Sequence, residues 1–195
     1  MAEVKMNVPC ELIVIGGSSG SIEVLLKLLP SLKAPLSLAL ILVLHRKNSV
    51  ESTMVELFSG RTNIPVKEVE DKDPVEPGII YIAPADYHLL IEQDRAFSLD
   101  SSEKINFSRP SLDVTFESAA EVYGPSLVGV ILSGANADGT LGLKAVKRAG
   151  GLIIAQKPET AQVAYMPEQA ILHNTIDFIF DISELATFIN SSLNR

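Results

Sequence analysis

Leu12-Ile13-Val14-Ile15-Gly16-Gly17-Ser18-Ser19-Gly20-Ser21 is the stretch on which the reading of this chain turns. Four apolar residues run into a glycine-rich turn. Behind it Ile22, Leu25, Leu26 and Leu29 recur at helical spacing, so the context is strand, tight turn, helix. The pattern G-x-S-x-G falls on Gly16, Ser18 and Gly20, and it points to a nucleophile when strand and helix flank it. A serine so placed carries its hydroxyl at the rim of a sheet. It also lies near the unpaired N–H groups of a helix start, which can stabilise a developing oxyanion. The same small residues meet a plainer need in every doubly wound fold, where chain must turn tightly and helix must approach sheet. The turn alone leaves both readings open.

Working outward, strand and helix patterns alternate as they do in a parallel α/β sheet. Strands are expected at Leu12–Ile15, Leu38–Leu44, Ile64–Val69, Ile79–Ile82, Leu127–Leu132, Leu152–Ala155 and Ile176–Phe180. The continuous apolar run Leu38–Leu44 is that of a strand covered on both faces. Helices are expected from Ser21 to Leu29, ending at Pro30, and from a cap at Asn48 or Ser49 to Phe58. Three more run from Ser111 to Tyr123, from Thr140 to Arg148 and from Ser183 to Ile189. His88–Glu92 and Ala96–Leu99 flank Gln93-Asp94-Arg95 as an antiparallel hairpin, and Asp100–Arg109 reads as a polar surface loop. The expected fold is thus α/β: a doubly wound, mostly parallel sheet with one antiparallel hairpin and helices on both faces. No repeat or linker divides the chain, so residues 1–195 read as a single domain.

Composition narrows the function classes. A chain of 195 residues with 47% hydrophobic and 21% charged content is an ordinary globular domain. A net charge of −8 argues against nucleic acid, whose binding rests on cationic side chains at phosphates. One cysteine, Cys10, allows no internal disulfide, and with only three scattered histidines no metal site or cofactor is expected. The first ten residues lack the apolar core of a secretory signal. The longest apolar stretch, Leu36 to Leu44, falls well short of the ~20 residues that span a bilayer. No transmembrane segment is expected, and the expected compartment is the cytoplasm.

Ligands of open α/β sheets bind beyond the carboxyl ends of the strands. Ser18 follows the first strand and His45 the second. Asp138 follows Leu127–Leu132 through the turn Ser133-Gly134-Ala135-Asn136-Ala137. A hydroxyl, an imidazole and a carboxylate on one rim are the set that acyl transfer requires. Each has a structural alternative: His45 can bond to backbone, Asp138 before Gly139-Thr140 can cap the following helix, and His88 and His173 compete as base. A dinucleotide site fits less well, since Ser18 and Ser21 stand where glycines belong and His45 stands where an acidic residue would hold the ribose.

With these residues placed, the chain resembles the catalytic domain of the chemotaxis protein-glutamate methylesterase family, CheB, from Leu12 to about Phe188. The likeness is carried by IGGSSGS around Ser18, LVLH ending at His45, VEPGIIYIAPADYHLL, SRPSLDVTFESAA, GVILSGANADGTLGL and AQKPETAQVAYMPEQAI, in that order. It implies a serine hydrolase that removes methyl esters from glutamates on the cytoplasmic helices of methyl-accepting chemoreceptors. Some members also deamidate receptor glutamines. By the resemblance Ser18 is the nucleophile, His45 the base and Asp138 its partner, with backbone N–H groups near Ser19 and Ala135 receiving the oxyanion. Arg109, on the loop before Pro110, is a candidate for binding the receptor. Neutral imidazole is required, which predicts activity falling as pH drops through roughly 6–7.

The chain departs from the family pattern in places. Ser19 replaces a usual threonine, Gly20-Ser21-Ile22 replaces Gly-Gly-Pro, Ala135 stands where methionine is common, and Asn136 replaces glycine. A receiver domain precedes the catalytic domain in familiar members. None is expected here, which would leave constitutive action or control by a separate regulator. The competing function is a receptor-binding scaffold that keeps the fold and has little catalysis.

Overall fold

The computed structural model describes residues 9–46 and 51–194, leaving aside the side chains of 51–53. Seven strands form one parallel sheet: β1 (Leu12–Gly17), β2 (Ala39–Leu44), β3 (Val66–Glu68), β4 (Ile80–Ile82), β7 (Leu127–Ile131), β8 (Leu152–Gln156) and β9 (Phe178–Phe180). Their spatial order is β3-β4-β2-β1-β7-β8-β9. β5 (His88–Ile91) and β6 (Phe97–Asp100) pair antiparallel as a separate two-stranded sheet. β1 lies at the centre, with β2 on one side and β7 on the other. Strand order therefore reverses beside β1, and a crevice opens there beyond the carboxyl ends.

The period of two along each strand divides the core. Ile13, Ile15, Leu40, Leu42, Val128 and Val130 face one layer. That layer is formed by α1 (Ser21–Leu28), α2 (Glu51–Ser59) and α6 (Ile182–Phe188). Leu12, Val14, Ile41, Val43, Ile131 and Ile153 face the other. There they meet α3 (Leu112–Tyr123), α4 (Thr140–Arg148), α5 (Tyr165–His173) and the hairpin. Both faces of the sheet are covered, as continuous apolar strands demand. Cys10 is buried, and burial pushes its thiol up to about 12, so it remains protonated and unreactive.

Some element limits differ from the sequence reading. α1 stops at Leu28 and a single 3-10 turn, Leu29–Ser31, carries the chain through Pro30, which is tolerated at the start of such a turn. β3 and β9 are shorter than expected, Val66–Glu68 and Phe178–Phe180. α6 begins one residue early at Ile182, where Asp181 and Glu184 form a reciprocal capping box. α5 is an addition to the expected helices. The expected cap at Asn48 or Ser49 lies outside the described residues.

Candidate active site

β1 and β2 pair in register through Gly17↔Leu44, so Ser18 and His45 stand side by side one residue beyond it. The His45 N–H donates to the Gly17 carbonyl at 3.1 Å. Ser18 begins the turn into α1, and its carbonyl accepts from both the backbone N–H (3.0 Å) and the hydroxyl of Ser21. The turn closes through Gly20 at φ 83°, left-handed backbone that favours glycine. From the other side the segment after β7 folds over Ser18. The Ser18 N–H donates to the Ser133 carbonyl at 2.9 Å, and the Ser133 hydroxyl donates to the Ser19 carbonyl at 2.7 Å. A Cβ on Gly134 would lie 3.0 Å from Ser18 Cβ and 2.6 Å from the end of the Met166 side chain, so the segment packs closely on the serine. Among the described residues, no hydrogen bond engages the Ser19 or Ala135 N–H.

His45 Nε2–H donates to Asp138 Oδ2 at 2.8 Å. The other ring nitrogen, Nδ1, is then the one with a free lone pair, and it lies 3.4 Å from both Ser108 Oγ and Asn136 Nδ2. Among the described residues no hydrogen bond joins Ser18 Oγ to His45. The three rim residues thus divide: His45 and Asp138 are in contact, and Ser18 is adjacent to His45 with its hydroxyl unengaged among the described residues.

Asp138 is buried and is the hub of the site. Its Oδ2 also accepts from the Leu112 N–H at 2.7 Å. Its Oδ1 accepts from Ser111 Oγ (2.9 Å), the Asp113 N–H (3.2 Å) and Asn106 Nδ2 (3.1 Å). The sequence offered Asp138 as a possible cap of α4, and the structure corrects this. The N-cap residue of α4 is Gly139, its first-turn Gly142 N–H is taken by Asp113, and Asp138 sits at the N-terminus of α3. Ser111 occupies the N-cap position of α3 as expected, but its hydroxyl donates to Asp138 and caps nothing itself. A carboxylate on two first-turn N–H groups is in the field of the helix dipole as well as in their hydrogen bonds. Burial works against the charge of Asp138. Hydrogen bonds from His45, the Leu112 N–H and Asn106 overcome it and hold the carboxyl below its usual range.

A second buried carboxyl, Asp113, accepts from the Gly142 N–H at 2.7 Å and from Asn106 Nδ2 at 2.9 Å. Burial pushes it up to about 6, against the Gly142 bond, and the nearby charge of Asp138 adds to the rise. A raised folded-state value means that its contribution to stability is complete below 3.8 and is lost as pH rises through about 6. Asp113→Asn cannot ionise. Its Tm relative to the parent is therefore expected to climb between pH 4 and pH 7, and a constant difference across that window in thermal melts would contradict this.

Of the competing histidines, His88 is buried and fully used: Nδ1 accepts from the Ser111 N–H at 3.1 Å and Nε2 donates to the Glu103 carbonyl at 3.0 Å. His173 ends α5 and lines a cleft of about 650 Å³ that includes Asp138, Ala135 and Asn136. Arg109 Nη1 donates to the carbonyls of Ser101 and Ser102, both at 2.6 Å, so it fastens its own loop. It also lines a second recess, of about 590 Å³, with His45 and Arg46. Asn106, Ser108, Ser111 and Asp113 were not singled out by the sequence reading. Asn106 and Ser108 lie in a polar loop with no periodic signal, while Ser111 and Asp113 read only as a helix start.

Fold and site together define the class: a doubly wound α/β protein with an ordered histidine–carboxylate pair at its switch crevice. A family model described as CheB methylesterase matches residues 13–189. A crystal structure of the Thermotoga maritima CheB methylesterase catalytic domain superposes with a TM-score of 0.87 at 34% identity, over 92% of this chain and 96% of that one. A Leptospira interrogans protein, to which protein-glutamate methylesterase and protein-glutamine glutaminase activities are ascribed, is 43% identical over 90% of this chain and 91% of its own length. The Thermotoga maritima protein-glutamate methylesterase/protein-glutamine glutaminase is 35% identical over 90% of this chain, which spans 52% of that longer protein. The chain belongs to the CheB methylesterase family. No helix among the described residues is long and apolar enough to cross a membrane.

Proposed function

We infer that the chain hydrolyses glutamate methyl esters on chemoreceptor cytoplasmic helices, acting in the cytoplasm, with glutamine deamidation as a related activity. The observation that carries this is the His45–Asp138 contact beside the Ser18 turn, in a chain of this family. Ser18 Oγ attacks the ester carbonyl and His45 Nδ1 takes its proton. Asp138 fixes the tautomer by accepting from Nε2–H and stabilises the imidazolium. The oxyanion is received by the Ser19 and Ala135 N–H groups, a pair of donors that work without the methionine side chain common at the latter position.

The tetrahedral intermediate collapses as His45 returns the proton to the leaving methoxide, releasing methanol. Water then attacks the acyl-serine, again losing its proton to His45, and the glutamate is freed with Ser18 restored. Attack requires the Ser18 hydroxyl to turn toward Nδ1, and catalytic hydrogen bonds often tighten only once substrate is bound. The deciding experiment measures methanol release from membranes carrying methylated receptor. Steady release proportional to enzyme is expected, and none at any enzyme concentration would overturn the reading.

A further inference from the structure

Phe107 is 98% exposed, although its neighbour Asn106 is bonded to the buried Asp113 and Asp138. It sits at the tip of a two-residue turn. Ile105 and Ser108 exchange both backbone hydrogen bonds, at 3.2 and 2.9 Å, and the two residues between them have φ of 51° (Asn106) and 62° (Phe107). Left-handed backbone at both central positions is the geometry of a type I′ turn, where asparagine is welcome and a bulky aromatic is not. The turn is also anchored. Asn106 Nδ2 bridges Asp138 and Asp113, and Ser108 Oγ faces His45. Phe107 is therefore held outward in a conformation that its own side chain disfavours, and strained residues of this kind gather at ligand clamps.

The surroundings say what it meets. Phe107 lines both recesses, the one containing Asp138 and the one containing His45, so it forms the ridge between them. Leu141, 62% exposed, and Tyr165, 48% exposed, line the first recess with it. Three of the seven exposed large hydrophobic residues among those described thus border a single cleft at the site. Apolar exposure concentrated this way marks an interaction surface. The second recess is polar: Lys104 and Asp86 line it beside His45, and the guanidinium of Arg46 at its wall is already paired with Glu68 at 2.6 Å.

We propose that Phe107, with Leu141 and Tyr165, is the docking shelf for the polypeptide that carries the scissile ester. The shelf receives apolar side chains beside the esterified glutamate and so selects protein substrate over small esters. This rests on the esterase reading and deepens it. Phe107 touches the substrate chain at a distance from the reacting atoms, so it governs binding and specificity.

The test compares kcat/KM for methylated receptor membranes with kcat/KM for a p-nitrophenyl ester, in the parent, Phe107→Ala and Phe107→Tyr. Phe107→Ala is expected to lower the receptor-to-small-ester ratio at least ~10-fold, mainly through KM, since aromatic anchors dominate binding when truncated. Phe107→Tyr is expected to restore it. An unchanged ratio overturns the proposal, and so does an equal loss on both substrates, which would assign Phe107 to the integrity of the turn. Co-sedimentation with receptor membranes keeps the two readings separate. If the parent binds but turns over neither substrate, the esterase reading fails, and weaker sedimentation of Phe107→Ala still supports the shelf while equal sedimentation removes it.

Discussion

Ser18→Ala is expected to abolish methanol release from methylated receptor, by ~10⁴ or more in kcat, while leaving the fold intact. The two halves of this expectation have separate grounds. Ser18 Oγ engages no hydrogen bond among the described residues, and the contacts that hold the turn use the Ser18 backbone N–H and carbonyl. Alanine keeps those, and it keeps the Cβ against which Gly134 is packed. Removing a hydroxyl that stabilises nothing should move stability by no more than about 0.5 kcal/mol. Activity behaves differently because nucleophile, base and carboxylate work as one unit. A fluorophosphonate should label the parent and not the variant. Labelling of neither would favour the scaffold reading, and a variant with near-parental turnover would remove Ser18 from the mechanism.

What could be read ahead of the structure follows from how local each signal is. Ser18, His45 and the segment before Asp138 each end a buried strand, and apolar runs ending at a polar residue are visible in sequence. Parallel order around β1 then brings those ends together. The environment of Asp138 was not legible. Its partners Asn106, Ser111, Leu112 and Asp113 come from 25 to 32 residues away, and no periodicity links a loop asparagine to a distant carboxylate. The alternative to Asp138 as partner of His45, a plain cap for α4, also rests on local pattern, and the contacts of Asp138 with α3 remove it. Local pattern shows that an N-cap residue is present and says nothing of a second helix whose N-terminus is packed against it. α5 escaped notice because Pro167 interrupts its first turn in sequence, although proline is harmless there. Met166 and Ala170 pack this helix into the core layer on the α3–α4 face of the sheet.

Asp138→Asn is expected to damage both catalysis and stability, and that combination separates a hub from a simple orienting carboxylate. Five donors converge on Asp138: His45 Nε2, the Leu112 and Asp113 N–H groups, Ser111 Oγ and Asn106 Nδ2. Asparagine offers one carbonyl oxygen and turns its NH2 toward donors that it cannot satisfy. The N-terminus of α3 also loses its anion. Leaving two of these buried donors without an acceptor costs ~1–3 kcal/mol each, and at roughly 2–4 °C per kcal/mol for a chain of this size Tm should fall by about 10 °C. The pH dependence has a definite sign. Asp138 is held below its ordinary 3.8, so its stabilisation is complete above that value and fades only as pH drops beneath it. The parent–variant gap in Tm should therefore stay wide from pH 7 to about pH 4 and narrow in stronger acid. Catalysis should drop ~10⁴-fold, because an amide in place of the carboxylate favours the imidazole tautomer that carries its proton on Nδ1, the nitrogen that must act as base. Thermal melts and methanol release on the same preparation decide the matter. A variant that loses activity with an unchanged melt would reduce Asp138 to orienting His45 alone, and one that loses stability with full turnover would leave it a helix anchor outside the chemistry.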